Sequence, residues 1–499
     1  MNNNVLIIFL CMSLWISSSA MAAPATPPAG DIEPATEGEP VDRSCFLEGY
    51  ELFIDHKYRR ACPYFYEFMQ RYSPDVADYE WAEFFLGISL QKLGYSHASS
   101  DILAGLVRRK PNQKIVLYSL EVFENMSRTQ GFDKDLIIDQ TICGSLYGFV
   151  EGGLSDFIHY HQGVYDWEHG FISWGDEHFS QIGKGTYYHY KYLYKKALMC
   201  LYEDRIHECM AVLDEILGGS CEDEALLDEV LKTQARLLYE LGEYERADML
   251  YQELQQNILE QSRNLMERAW AHYRMGNPEK AMGLLYAFEA PGFRNHFTPE
   301  YYILKSFIYK DVCHYESALN VVSEFTARYG ESLEGIYHRL DAGENRDLLV
   351  LILNKKDIHF TWELLNLLEE ERFRITEFRD RKDQDSDLSL YLDRIYDLEI
   401  AKVAGTLRHQ VQAEYERYAN QLLQYEEEAN LMAYEVGLDM YQRVQQYHYS
   451  EDQEAKNEEE KGIVVYPFQG EFWNDELADY RVILPNKCKD MEEWDIFFR

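Results

Sequence analysis

Residues 235–254 read ARLLYELGEYERADMLYQEL and residues 269–288 read AWAHYRMGNPEKAMGLLYAF. Ala235, Leu238, Gly242, Tyr244, Ala247, Tyr251 and Leu254 have their counterparts in Ala269, His272, Gly276, Pro278, Ala281, Leu285 and Phe288, each 34 residues on. A fixed period of this length is the mark of a repeat array built from helical hairpins. Small residues such as Ala235 with Ala247, and Ala269 with Ala281, let two antiparallel helices come into close backbone contact. The glycine between them takes φ > 0 where the first helix ends, and large apolar residues later in the second helix plug into the next copy.

Working outward, the same template fits Ser306, Tyr309, Tyr315, Ala318, Val322 and Phe325, with Cys313 in place of the turn glycine. It fits Ala197, Cys200, Cys209, Leu213 and Ile216, and before them Gly163, Gly170, Gly175 and Phe179. Nearer the start it fits Gly49, Leu52, Tyr58, Ala61, Phe65 and Phe68, then Leu86, Gly87, Leu90, Gly94, Leu103 and Leu106. Seven copies are thereby phased within residues 42–345. Residues 112–155 depart from the spacing and read as a degenerate copy or an insertion.

Forty-eight Lys and Arg against 87 Asp and Glu give the 499-residue chain a formal charge of −39. Phosphate neutralisation needs clustered cations, so nucleic acid is not an expected partner. The short apolar run Val5 to Ile16, followed by small residues ending Ala20-Met21-Ala22, predicts a cleavable signal peptide over residues 1–22. Residues 23–41 read as a disordered Pro-rich linker. No later stretch has the length and apolarity of a membrane span.

Residues 346–449 form a long helical segment. In its later half Val411, Tyr415, Tyr418, Leu422, Tyr425, Ala429, Met432 and Val436 make a heptad seam. The seam is aromatic rather than leucine-rich, so packing back on the array is preferred to a free coiled coil. Residues 450–499 read as an acidic hinge (450–461) and a C-terminal cap or docking tail.

The repeat pattern resembles the tetratricopeptide repeat family. The resemblance implies an all-α solenoid of helical hairpins over 42–345, whose binding surface is the inner curve lined by set positions of each first helix. Carried onto this sequence, those positions imply a partner groove of Trp81, Phe84, Tyr194, Tyr202, Lys232, Arg236, Tyr239, Arg263, Trp270, Tyr273, Arg274 and Phe307. Aromatic anchors beside guanidinium groups suit a peptide segment carrying acidic residues or a terminal carboxylate. The other reading of these rings is packing against neighbouring helices. A second likeness lies in YPFQGEFWNDELADYR at 466–481, which is similar to periplasmic tetratricopeptide proteins of gliding and predatory bacteria, including components of the gliding-motility envelope machinery. It implies a periplasmic assembly protein.

His159, His161, His169, His178 and His189 crowd one segment, but their spacing matches neither the His-Glu-x-x-His arrangement nor a cysteine-based zinc pattern. No phosphate loop or nucleophile elbow is present, and carboxylate pairs are expected by number alone. Neither catalytic residues, nor a metal, nor a cofactor are therefore assigned. Eight cysteines follow the leader. Cys45 with Cys62, and Cys200 with Cys209, fall on facing helices of one hairpin each, as candidate disulfides or as small residues at tight crossings. The expectation is a non-enzymatic periplasmic adaptor that binds segments of other envelope proteins through its groove and docks a second partner through its C-terminal helices and tail. The alternative is a peptidoglycan- or glycan-associated binding protein or hydrolase helper. The sequence leaves self-association open.

Overall fold

The computed structural model describes residues 41–109, 112–128, 132–254, 258–293, 296–378, 387–447 and 480–488. The expected signal peptide, all but the last residue of the linker, the acidic hinge and all but the last two residues of the 466–481 motif lie outside the described residues. Among the described residues the chain is all-α with no strand, and its helices pack as consecutive hairpins of the solenoid kind. No described helix is long and apolar enough to cross a membrane.

Contacts divide the chain into two units, the first running to Val150 and taking in Phe378–Leu388, the second made of Glu151–Glu377 and the chain from Ser389 on. In unit 1, α1 (Ser44–Ile54) pairs with α2 (Tyr58–Arg71), and α3 (Ala77–Lys92) with α4 (Ser96–Arg108). Phe46, Phe65, Phe68 and Phe85 fill its core, with Phe53 beside Phe85 at 4.9 Å between ring centroids. A helix α5 (Gln113–Ser127) and a π-helical turn at Asp135–Ile142 follow. The repeat pattern fails over 112–155 because the chain there leaves the two-helix hairpin for this wider turn.

Unit 2 carries five hairpins: α6 (Gly153–Glu168) with α7 (Ile172–Ser180), α8 (Tyr187–Tyr202) with α9 (Ile206–Leu217), and α10 (Glu224–Glu240) with α11 (Tyr244–Glu253). Next come α12 (Ile258–Arg274) with α13 (Pro278–Tyr286) and α14 (Pro299–Asp311) with α15 (Tyr315–Tyr337). Thr186 and Asp223 cap the starts of α8 and α10, and Pro278 and Pro299 open α13 and α14, where a missing amide hydrogen costs no helical bond.

Inside each hairpin the turn has one left-handed residue: Gly170, Asp204, Gly242, Gly276 and Cys313, at φ between 60° and 83° and at intervals of 34, 38, 34 and 37 residues. The amide that follows returns to the carbonyl five residues back, as in Glu243 to Leu238 (2.9 Å), Asn277 to His272 (2.9 Å) and His314 to Tyr309 (2.8 Å). That closure satisfies carbonyls the ending helix would leave bare. At the crossings Ala235, Ala247, Ala269 and Ala281 are all fully buried. Gly163 serves the same end, since a Cβ there would stand 2.6 Å from the Phe179 ring.

One buried ion pair joins α11 to α12. Arg268 Nε lies 2.7 Å from Asp248 Oδ1, with side chains only 6% and 10% exposed, and His272 Nε2 lies 3.2 Å from Oδ2. Burial pushes the Asp248 carboxyl up, but contacts from His272 and Arg268 outweigh it and hold the group at about 2.

Beyond α15 lie α16 (Arg346–Leu353), α17 (Lys356–Arg374) and the 61-residue α18 (Asp387–Tyr447). The expected change of domain near 345 falls inside one core, in which Phe325, Tyr329 and Leu333 meet Leu348, Leu351, Tyr415, Tyr418 and Leu422. The heptad seam of α18 is buried there, with Tyr418 stacked on Phe297 at 4.0 Å and Tyr415 Oη donating to Leu340 O at 2.9 Å. It packs back on the hairpins.

Of the two readings of the cysteines, the disulfide pairs Cys45–Cys62 and Cys200–Cys209 need correction. Cys45, Cys62, Cys200 and Cys209 are buried thiols, and the disulfide joins Cys313 to Cys488. Cys62, Cys200 and Cys209 are at most 1% exposed, filling crossings as small residues, while Cys45 Sγ donates to Tyr64 O at 3.3 Å. The bond pins residues 480–488, which end in a turn at Lys487 and Cys488, onto the last hairpins. Val482 donates its amide to Glu279 O (3.1 Å), Lys487 donates to Val312 O (3.1 Å), and Pro485 O lies 2.8 Å from His314 Nε2. Tyr480, Val482 and Leu484 point alternately into the core of α12–α14, while Ile483 is 59% exposed. Gly283 makes room: a Cβ there would fall 1.8 Å from Tyr480 O, which explains a residue otherwise unfavourable in mid-helix.

Candidate functional site

In unit 2 the expected groove residues fall on the first helices α8, α10, α12 and α14, and side-chain bonds link each helix to the next. Tyr194 Oη lies 3.0 Å from Thr233 Oγ1, joining α8 to α10. Arg236 Nε donates to both oxygens of Glu267 at 2.9 and 3.2 Å, joining α10 to α12. From α12, the Trp270 indole donates to Glu300 at 2.7 Å and Tyr273 Oη donates to Asp311 at 2.5 Å, both on α14. Each partner sits about one repeat further along, shifted by a helical turn.

This ladder changes the electrostatics the sequence suggested. Arg263 shares Glu267 with Arg236 (3.1 Å), and Lys232 Nζ lies 3.4 Å from Glu229 Oε1. Three of the four expected cations thus have a carboxylate in reach. Arg274 differs: exposed at the end of α12, its guanidinium lies 5.7 Å from the Trp270 ring centroid, and it hydrogen-bonds Tyr239. Burial raises the Tyr239 hydroxyl, and burial together with Asp311 pushes Tyr273 up to about 12, so both remain neutral at physiological pH, Tyr239 accepting from Arg274 and Tyr273 donating to Asp311. Burial also raises the Glu300 carboxyl, against the Trp270 indole's hydrogen bond.

The remaining site residues divide. Tyr202 stands 88% exposed at the end of α8. Phe307 is half-buried among Ala318, Met432 and Val436, because α18 lies on the α14 face, where Lys310 also meets Glu435. Lys232 is 6% exposed, with its chain packed in the hairpin. Trp81 and Phe84 belong to unit 1 and are 5% and 4% exposed, with Trp81 stacked on Phe85 at 5.7 Å. Those two rings and Lys232 are corrected from surface to packing residues: at these positions the side chain fills the gap to a neighbouring helix. The open part of the face is therefore Tyr194, Tyr202, Arg236, Tyr239, Arg263, Trp270, Tyr273 and Arg274, of which the six from Arg236 onward lie together on α10 and α12. Sequence spacing found these residues but missed Glu267, Glu300 and Asp311, whose pairing depends on the side-chain rotamers between adjacent first helices.

The five histidines do not form one cluster, and only two of them meet. His161 packs against Phe157 and Tyr188, and His169 stacks on Tyr165. His159 and His178 face each other, Nδ1 to Nδ1 at 3.0 Å, in an open cavity also lined by Asp166, Trp174, Glu177 and Gln181. Burial, then His178, lowers the affinity of His159 for a proton. Among the described residues no group of three or more potential metal-ligating side chains comes together. No protein-family model matches the chain, and no curated protein matches it at a significant level.

Proposed function

We propose that the protein is a non-enzymatic adaptor of the cell envelope, exported to the periplasm, whose first-helix face on α10, α12 and α14 holds a segment of another envelope protein. The supporting observation is the Trp270–Arg274 pair, flanked by Tyr239 and Tyr273 and braced from below by Glu300 and Asp311. Its groups are already oriented by bonds within the chain, so little side-chain entropy is lost on binding. A stacked guanidinium beside half-exposed aromatic rings is the composition of an interface hot spot, and Arg274 is placed to meet a partner carboxylate. The 34-residue period supports membership of the tetratricopeptide repeat family, and the 466–481 motif favours a gliding-motility-type envelope complex. No bond is made or broken in this role.

The test is co-purification from envelope extract. Trp270→Ala/Arg274→Ala is expected to weaken retention of the protein partner by tenfold or more, as hot-spot truncations do, with the hairpins intact by circular dichroism. Retention unchanged in that variant would end the proposal. A second reading, glycan binding, is favoured by Phe171 and Trp174, which stack at 5.0 Å and are 49% and 61% exposed beside the His159–His178 cavity. Retention on purified sacculi that Trp174→Ala abolishes would favour it.

A further inference from the structure

The C-terminal part of α18 has two apolar stripes. Ala429, Met432 and Val436 are at most 2% exposed against α14 and α15. Leu431, Tyr434, Leu438 and Tyr441 follow in steps of three, four and three and are 57%, 65%, 42% and 62% exposed. At about 100° per residue the two stripes lie roughly 180° apart, so one seam faces the hairpins and the other faces outward. Exposing one large apolar residue is ordinary, but a stripe at coiled-coil spacing is the surface a second helix packs on.

Charge says which helix. Between Arg417 and Arg443 there is neither Lys nor Arg, and five carboxylates occur: Glu426, Glu427, Glu428, Glu435 and Asp439. Tyr337 and Lys310 engage Glu426 and Glu435. Glu427 stands on the outward stripe one turn before Leu431, and Glu428 and Asp439 flank it on one side. A second copy would set two acidic edges against each other, a mismatch that costs affinity and that each chain's charge of −39 makes worse.

We propose that the outward stripe of α18 docks an amphipathic helix of a partner protein, one with leucine-type residues on a three–four repeat and Lys or Arg along its edges. This rests on the adaptor reading but concerns a surface separate from the Trp270–Arg274 face. Leu431 and Leu438 supply the apolar contact, and the row of carboxylates selects the cationic partner and sets its direction.

The experiment titrates the full chain with three synthetic helices: leucine seam with Lys edges, the same seam with Glu edges, and a scrambled Lys peptide of equal charge. The Lys-edged helix is expected to bind at least tenfold more tightly than either control and to weaken as salt rises from about 50 to 500 mM. Leu431→Ser/Leu438→Ser, both at exposed positions, is expected to reduce that binding at least tenfold with an unchanged urea midpoint. The proposal is overturned if the scrambled or Glu-edged peptide binds equally, if the double variant binds as wild type does, or if sedimentation reveals a dimer that the double variant abolishes. Trp270→Ala/Arg274→Ala is expected to bind the Lys-edged helix normally, so failure of the stripe and failure of the first-helix face are read separately.

Discussion

Cys488→Ser is expected to lower the stability of unit 2 by about 2–5 kcal/mol and to release residues 480–488 from α13 and α14. The bond joins positions 175 residues apart, and in the chain-entropy account closing so long a loop removes much of the freedom of the unfolded chain. Release would also expose the core surface that Leu484, now 7% exposed, covers. The turn gives an internal check. Cys313 occupies a left-handed position, φ 60°, which four of the preceding hairpin turns fill with Gly170, Asp204, Gly242 and Gly276. A side chain there costs about 1 kcal/mol relative to glycine. Cys313→Gly should therefore be less destabilised than Cys313→Ser, though both lose the bridge. Urea unfolding of the oxidised, reduced and substituted chains measures all of this. Coincident curves for oxidised and reduced protein would refute it.

Asp248→Ala is expected to cost about 3–5 kcal/mol, because it strands the Arg268 guanidinium in a site where only 6% of that side chain is exposed. Asp248→Asn, which keeps a hydrogen-bond acceptor, should cost less. The sign of the pH effect follows from the depressed carboxyl, held at about 2 in the folded chain against an ordinary 3.8. Its contribution is present in full above the ordinary value and is lost as pH falls from there through about 2. The Asn variant should lack that part of the acid sensitivity. Urea midpoints at a series of pH values would show it, and parallel profiles for wild type and variant would contradict it.

Local geometry was legible in the sequence wherever the backbone demanded a particular residue. Gly242 and Gly276 stand at the positive φ their positions implied, and the buried alanines sit at the crossings. The aromatic seam of α18 was likewise readable, since its period matches one face of a helix. Four things were not. The ladder through Glu267, Glu300 and Asp311 depends on which rotamers meet between adjacent first helices, and a pattern of residue types does not encode that. Trp81 and Phe84 share their repeat positions with open residues elsewhere, but unit 1 packs rings against them. Cys313 read as an imperfect glycine, although a β-carbon in that conformation is itself a sign of another duty. The outward stripe on α18 escaped notice because the inward one already accounted for the helix.

The most direct measurement places a photo-cross-linking amino acid at Arg263, 70% exposed on α12, or at Met249, 55% exposed on the second helix α11. In intact cells the account predicts a covalent adduct with another envelope protein from position 263 and none from 249, with the adduct lost in Trp270→Ala/Arg274→Ala. An adduct from 249 but not from 263, at equal protein levels, would contradict it.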